Sequence, residues 1–99
     1  MNYKLDRLLA GETFVTKESG NSMTPRIKHR QPHKLAPVTS LDEIQVDDIV
    51  YCKVKGNYLT HLVKAKSEEK GLLIGNMHGK INGWTKKVYG RVIEILPQE

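Results

Sequence analysis

Cysteine is nearly absent from this 99-residue chain, with Cys52 standing alone. A single thiol excludes an internal disulfide framework and any zinc cage built from cysteines. No apolar stretch approaches the ~18–20 residues of a membrane-spanning helix. The opening Met1-Asn2-Tyr3-Lys4-Leu5-Asp6-Arg7 carries charge but no long apolar core, which argues against a signal peptide. Internal repeats, low-complexity tracts and linkers are missing as well. What remains, 38% hydrophobic and 27% charged, has the balance of a folded chain rather than a disordered one. The length predicts one domain over residues 1–99, with a short N-terminal segment at 1–11. The expectation is a soluble, cytoplasmic protein with no membrane partner and a modest core, since a chain this short buries only ~60–65% of its unfolded surface.

Charge is unevenly placed. The formal net charge is +5, and residues 1–34 hold seven basic against three acidic side chains. The densest basic stretch, Arg26-Ile27-Lys28-His29-Arg30-Gln31-Pro32-His33-Lys34, contains no acid. Arg26, Lys28, Arg30 and Lys34 therefore form a candidate patch for the phosphates of nucleic acid. The plainer reading is a solvated basic loop. No aromatic interleaves with these residues, so they offer no stacking surface for a single strand.

The pattern of residues predicts a mainly β fold. Leu5, Leu8 and Leu9 recur at helical spacing before Gly11, giving one short N-terminal helix. Thr13–Lys17 reads as a strand, and Ser19–Ser22 breaks it. Between Pro32 and Pro37 there is room for one short strand at Lys34-Leu35-Ala36. Ser40-Leu41-Asp42-Glu43 reads as a helix cap or turn. Ile49–Val54 and Tyr58–Ala65 form a hairpin around the turn signal Gly56-Asn57. Leu72-Leu73-Ile74 is a further strand, Gly75–Gly83 a glycine-rich loop, and Val88–Leu96 a closing strand bent at Gly90. Five or six short strands result.

Strand alternation sorts the hairpin's side chains. Leu59, His61 and Val63 share one face; Tyr58, Thr60, Leu62 and Lys64 share the other. A histidine on an apolar stripe is either a hydrogen-bonded core residue or a base awaiting a nucleophile. The matching nucleophile is Ser22 in Gly20-Asn21-Ser22-Met23-Thr24-Pro25, where a glycine and a proline restrict the backbone that presents the hydroxyl and its neighbouring N–H groups. His29, His33 and His78 show no metal spacing with an acid and read as surface imidazoles. Neither a metal site nor a cofactor is expected. Cys52, on a face with Val50 and Val54, reads as a small buried hydrophobe, and Trp84 as a plug in the core.

These residues carry a resemblance. Gly-x-Ser-Met-x-Pro is similar to the nucleophile motif of the signal-peptidase and LexA-like superfamily, the S24/S26 serine peptidases. Val46-Asp47-Asp48-Ile49-Val50 resembles that superfamily's Gly-Asp-Ile-Val strand. Tyr58–Lys64 falls where the general base lies, and Gly75-Asn76 with Gly90-Arg91-Val92 resembles the closing loop and strand. The match runs through residues 12–96. It implies a compact LexA- or signal-peptidase-like β domain and a Ser22–His61 dyad, histidine taking the place that lysine holds in bacterial members. It further implies Ser22, Met23 and Pro25 as the motif around the oxyanion site, with the Ser22 N–H as donor. Using Lys64 instead would require a three-residue shift onto the opposite face. Three departures from the pattern stand out: Asp47 replaces a glycine, which predicts a changed turn. Asn76 stands where an aspartate would orient the histidine, and Gly20 where some members carry an oxyanion-stabilising serine.

The sequence thus predicts a serine peptidase-like domain acting on a peptide or protein substrate, in processing or self-processing. No membrane anchor or DNA-binding domain is evident, which suggests a small phage or mobile-element protein rather than an export peptidase or full repressor. The alternative is the same fold without turnover, regulating a partner protein or holding nucleic acid through Arg26–Lys34.

Overall fold

The computed structural model describes residues 2–98. A helix α1 at Tyr3–Leu9 leads into seven strands: β1 at Phe14–Thr16, β2 at His33–Pro37, β3 at Ile49–Val54, β4 at Asn57–Ser67, β5 at Gly71–Gly75, β6 at Ile81–Thr85 and β7 at Val88–Ile95. They form one sheet in the order β1-β2-β7-β3-β4-β5-β6, with every pairing antiparallel. The fold is mainly β with one short N-terminal helix. No helix among the described residues is long and apolar enough to cross a membrane.

Local chemistry explains most boundaries. The Asn2 side chain accepts the Leu5 N–H and caps α1. Ser40 and Glu43 close a reciprocal capping box around a single 3-10 turn at Leu41–Glu43. The hairpin turn lies at Lys55-Gly56, one residue earlier than the Gly56-Asn57 signal suggests, because Val54 pairs with Asn57. Lys55 and Gly56 both take positive φ, 50° and 84°, as a two-residue turn matched to strand twist demands.

Strand β6 is absent from the sequence reading, which leaves Gly75–Gly83 as loop. Asn82 and Gly83 have low strand propensity, yet Ile81–Thr85 pairs along β5 from Leu72 to Gly75. Trp84 on this strand does not plug the core and is 37% exposed. Its strand lies at the sheet's edge, and the core beneath is filled by smaller aliphatic side chains.

The core divides into three clusters. Ile44, Val50, Cys52, Val54, Val63, Leu72, Ile74 and Val88 form the largest. Leu8, Phe14, Leu35 and Tyr51 hold α1 against the sheet. Met23, Ile27, Ile49 and Leu62 form the third, directly beneath the Ser22 loop. Cys52 is fully buried, and burial pushes its thiol up to about 12, which removes it as a nucleophile near neutrality.

Gly90 lies beside a bulge in β7, since Tyr51 pairs with Gly90 and Cys52 with Val88, and it admits α1. A Cβ at this position would stand 2.8 Å from Leu8 Cδ1 and 3.2 Å from the Ala36 carbonyl oxygen. Gly90→Ala should therefore destabilise the fold by ~1–3 kcal/mol through overpacking, and Leu8→Ala by ~2–5 kcal/mol through cavity formation. Because the two side chains would compete for one space, the double variant should be more stable than additivity predicts, by at least ~0.5 kcal/mol. Urea denaturation of the four proteins measures this coupling, and strict additivity would refute the contact.

Candidate active site

The Ser22 loop is held from below and from both sides. Gly20 takes φ 108°, a conformation that turns the chain out of β1 and that side-chain-bearing residues rarely adopt. Beyond it, Thr24 N–H donates to the Asn21 carbonyl at 3.2 Å and Ile27 N–H to the Met23 carbonyl at 2.9 Å. Met23 and Ile27 bury to 5% and 6% exposure against Ile49 and Leu62, fastening the loop to the sheet. The Gly20 N–H donates to His29 Nδ1 at 2.8 Å. Opposite, the loop before β6 grips the same backbone: Met77 N–H donates to the Ser22 carbonyl at 3.0 Å, and His78 Nε2 lies 2.9 Å from the Asn21 carbonyl.

His61 reaches this loop from β4. Its Nε2 lies 3.2 Å from Ser22 Oγ, within range for the hydroxyl to donate to an unprotonated ring nitrogen. The reach follows from register. Val50 pairs with His61 and Ile49 with Leu62, so Leu62 points to the Met23 cluster while His61 emerges on the alternate face. Lys64 lies beyond a bulge between Val63 and Ala65, its Cε next to Gly75. The Ser22 N–H makes no hydrogen bond among the described residues, which leaves it free to stabilise an oxyanion.

The other imidazole nitrogen is exceptional. His61 Nδ1 is buried and has no hydrogen-bond partner among the described residues. Asn76 does not serve it; its side-chain oxygen accepts the His78 and Lys80 N–H groups at 2.8 and 3.0 Å and braces the loop. Burial, slightly countered by the Glu18 carboxylate and reinforced by Lys80, lowers the His61 pKa from its ordinary value of 6.5. Neutral imidazole, the form a general base needs, therefore persists below that value.

Glu18 is the charged neighbour that sequence reading missed. Its Oε2 lies 3.3 Å from His33 Nε2 and 3.4 Å from Lys4 Nζ. Burial pushes the Glu18 carboxyl up, but the His33 hydrogen bond and the Lys4 ammonium outweigh it and hold the pKa below 4.5. His33 is not a surface imidazole: it is fully buried, with Nδ1 3.0 Å from the Gln31 carbonyl. His78, in contrast, is exposed and binds the Ser22 loop. No cluster suited to a metal ion occurs among the described residues.

Asp47 adopts φ 79°, in the left-handed region that aspartate tolerates better than most side-chain-bearing residues. The turn is held by Asp47 N–H donating to the Val63 carbonyl, and by Val63 N–H donating to the Asp48 carbonyl, each at 2.9 Å. The basic stretch is dispersed. Lys34 pairs with Glu94 at 3.2 Å and Arg26 donates to the Asp47 backbone carbonyl at 2.6 Å; Arg26, Lys28 and Arg30 have no carboxylate partner among the described residues.

The His61 environment has a sign that can be measured. Following the His61 ring protons by NMR should place its midpoint below 6.5; Lys80→Ala should raise it and Glu18→Gln lower it further, because each removes the charge responsible. The reverse order would refute this electrostatic assignment. Beyond this geometry the comparisons add nothing, for no family model, curated protein or solved structure matches the chain.

Proposed function

We propose that this domain is a serine peptidase in which Ser22 is the nucleophile and His61 the general base. The observation carrying this reading is the 3.2 Å contact between Ser22 Oγ and His61 Nε2, next to an unengaged Ser22 N–H. Ser22 Oγ attacks the scissile carbonyl as its proton passes to His61 Nε2. The carbonyl oxygen becomes an oxyanion at the Ser22 N–H. His61 then returns the proton to the leaving amine, giving an acyl-enzyme that water, activated by the same imidazole, hydrolyses.

Free backbone supports an extended peptide substrate. β1 pairs only with β2, and Asn57–His61 of β4 pair only with β3 because β5 covers β4 from Leu62 onward. Between these two free edges, Glu18, Ser19, Gly20, Ser22 and Thr60 border a recess of about 40 Å³ with Met23 and Ile27 among its walls. A substrate strand adding to such edges gains main-chain hydrogen bonds, and the recess has room for a small side chain beside Ser22. Processing or self-processing within an extended segment fits this arrangement. The S24/S26-like resemblance of the motifs supports the same reading, and a phage or mobile-element, cytoplasmic setting belongs with it as part of the proposal.

Incubation with a fluorophosphonate should label Ser22, and a peptide library should be cut after small residues. Ser22→Ala should abolish both. His61→Ala should lower turnover by ~10²–10⁴-fold, whereas Lys64→Ala should leave it within a few-fold. The acid limb of kcat/KM should fall below pH 6.5, since burial lowers the His61 pKa. Loss of activity in Lys64→Ala with retention in His61→Ala would overturn the dyad. A complete lack of labelling and cleavage in the folded wild type would favour the non-catalytic alternative.

A further inference from the structure

We infer that the cleft bordered by residues of the β3–β4, β4–β5 and β6–β7 turns is a binding site for single-stranded nucleic acid. This site is separate from the Ser22 centre and from the Arg26–Lys34 stretch. A cleft of about 410 Å³ is lined by Lys53, Lys55, Lys70, Trp84, Lys86 and Lys87, with Gly56 and Thr85 completing it. Five ammonium groups thus converge from three segments distant in sequence. None lies within 4.0 Å of a carboxylate among the described residues. Glu68, on the same turn as Lys70, borders the adjoining cavity with Asp42 and Lys66 instead.

The convergence is built by the backbone. Lys53 N–H donates to the Lys87 carbonyl at 2.9 Å. Thr85 Oγ1 donates to the Lys53 carbonyl at 2.6 Å and accepts the Lys87 N–H at 3.0 Å. The β6–β7 turn is therefore clamped to β3. Two glycines let lysine stems lie close: a Cβ on Gly83 would stand 3.3 Å from Lys55 Cε, and one on Gly71 would stand 2.7 Å from Lys86 Cγ. Lys55 itself is held at φ 50°, where asparagine or glycine would be relaxed. A lysine kept in a strained position at the tip of a turn points to a use for its charge.

The aromatic rings decide the ligand class. Trp84 and Tyr58 are both 37% exposed. Lys70 Nζ lies 5.5 Å from the Trp84 ring centre and Lys53 Nζ 5.1 Å from that of Tyr58. Tyr58 stacks on Tyr51 at 5.9 Å and stands outside the cleft. Trp84, the aromatic ring of the cleft, offers stacking for a base beside cations that neutralise phosphates, the combination that holds single strands with little sequence preference. An acidic peptide is less well suited, because the cleft contains no arginine fork to pair carboxylates in two-point fashion. Duplex nucleic acid hides its base faces from Trp84.

Trp84 is the chain's only tryptophan and so reports directly on the site. Titrating the full chain with a 15-nucleotide oligothymidylate at low salt should quench its emission. The salt dependence should have a slope of about −2 to −3.5, from three to five phosphate contacts on a single strand. By anisotropy of a labelled oligonucleotide, Trp84→Leu should weaken binding about 5- to 150-fold. Combined Lys86→Gln and Lys87→Gln should weaken binding and reduce the slope by about 1.4. Combined Lys28→Gln and Arg30→Gln should leave binding within about twofold, and circular dichroism should show each variant folded. No quenching in the wild type, loss on the Lys28 and Arg30 changes, equal affinity for duplex, or equal competition by poly-glutamate would each overturn the proposal.

Discussion

Hairpin β3–β4 is fixed from both of its faces, and the Ser22 site depends on that register. Pairing of Ile49 with Leu62 puts two aliphatic side chains under Met23 and Ile27, while pairing of Val50 with His61 delivers the imidazole to the hydroxyl. A one-residue slip exchanges these faces, turning Leu62 away from Met23 and Ile27 and His61 away from Ser22. The hydrophobic cost of that exchange enforces the polar contact. Burial of Val63 on one side and Leu62 on the other makes the register stringent, since neither face tolerates the other's residues.

The same packing sets the electrostatics of His61. A buried ring nitrogen without a partner penalises the imidazolium, and this is why His61 is depressed rather than raised. The price of a readily available base is weaker stabilisation of the proton once it has been accepted. Glu18 offsets this through space alone, since its hydrogen bond goes to His33 rather than to His61. The carboxylate is thereby fixed in place by a buried partner, and its field at His61 does not require a side chain free to move.

Legibility in the sequence followed the range of the interactions involved. Alternation along Tyr58–Lys64 is a local property, and it correctly separates His61 from Leu62 without knowledge of the fold. The capping box at Ser40 and Glu43 is equally local. Strand β6 was hidden because Asn82 and Gly83 oppose a strand assignment, and only pairing with β5 overrides them. His33 was misread as exposed since nothing near it in sequence announces Glu18, fifteen residues away, as its partner. The hairpin turn was displaced by one residue because a lysine at positive φ has no sequence signature.

Charge was the least legible feature, and its rearrangement connects the two ends of the molecule. A contiguous run of basic residues invites reading as a patch, yet the fold disperses it: β2 pairs with β7 and brings Lys34 to Glu94, while the Ser22 loop lays Arg26 across the Asp47 turn. Those two charges are tied to the strand and turn they touch. Lysines scattered between positions 53 and 87 undergo the opposite change, because hydrogen bonds from Lys53 to Lys87 and from Thr85 to Lys53 clamp the β6–β7 turn onto β3. That closure concentrates charge from sequence-distant turns around one cleft, next to the chain's only tryptophan. Linear charge density measures neither outcome. The quantity that matters is which cations remain without carboxylate partners after the strands have paired: among the described residues the cleft around Trp84 gathers five, Lys53, Lys55, Lys70, Lys86 and Lys87, against Arg26, Lys28 and Arg30 in the Arg26–Lys34 segment.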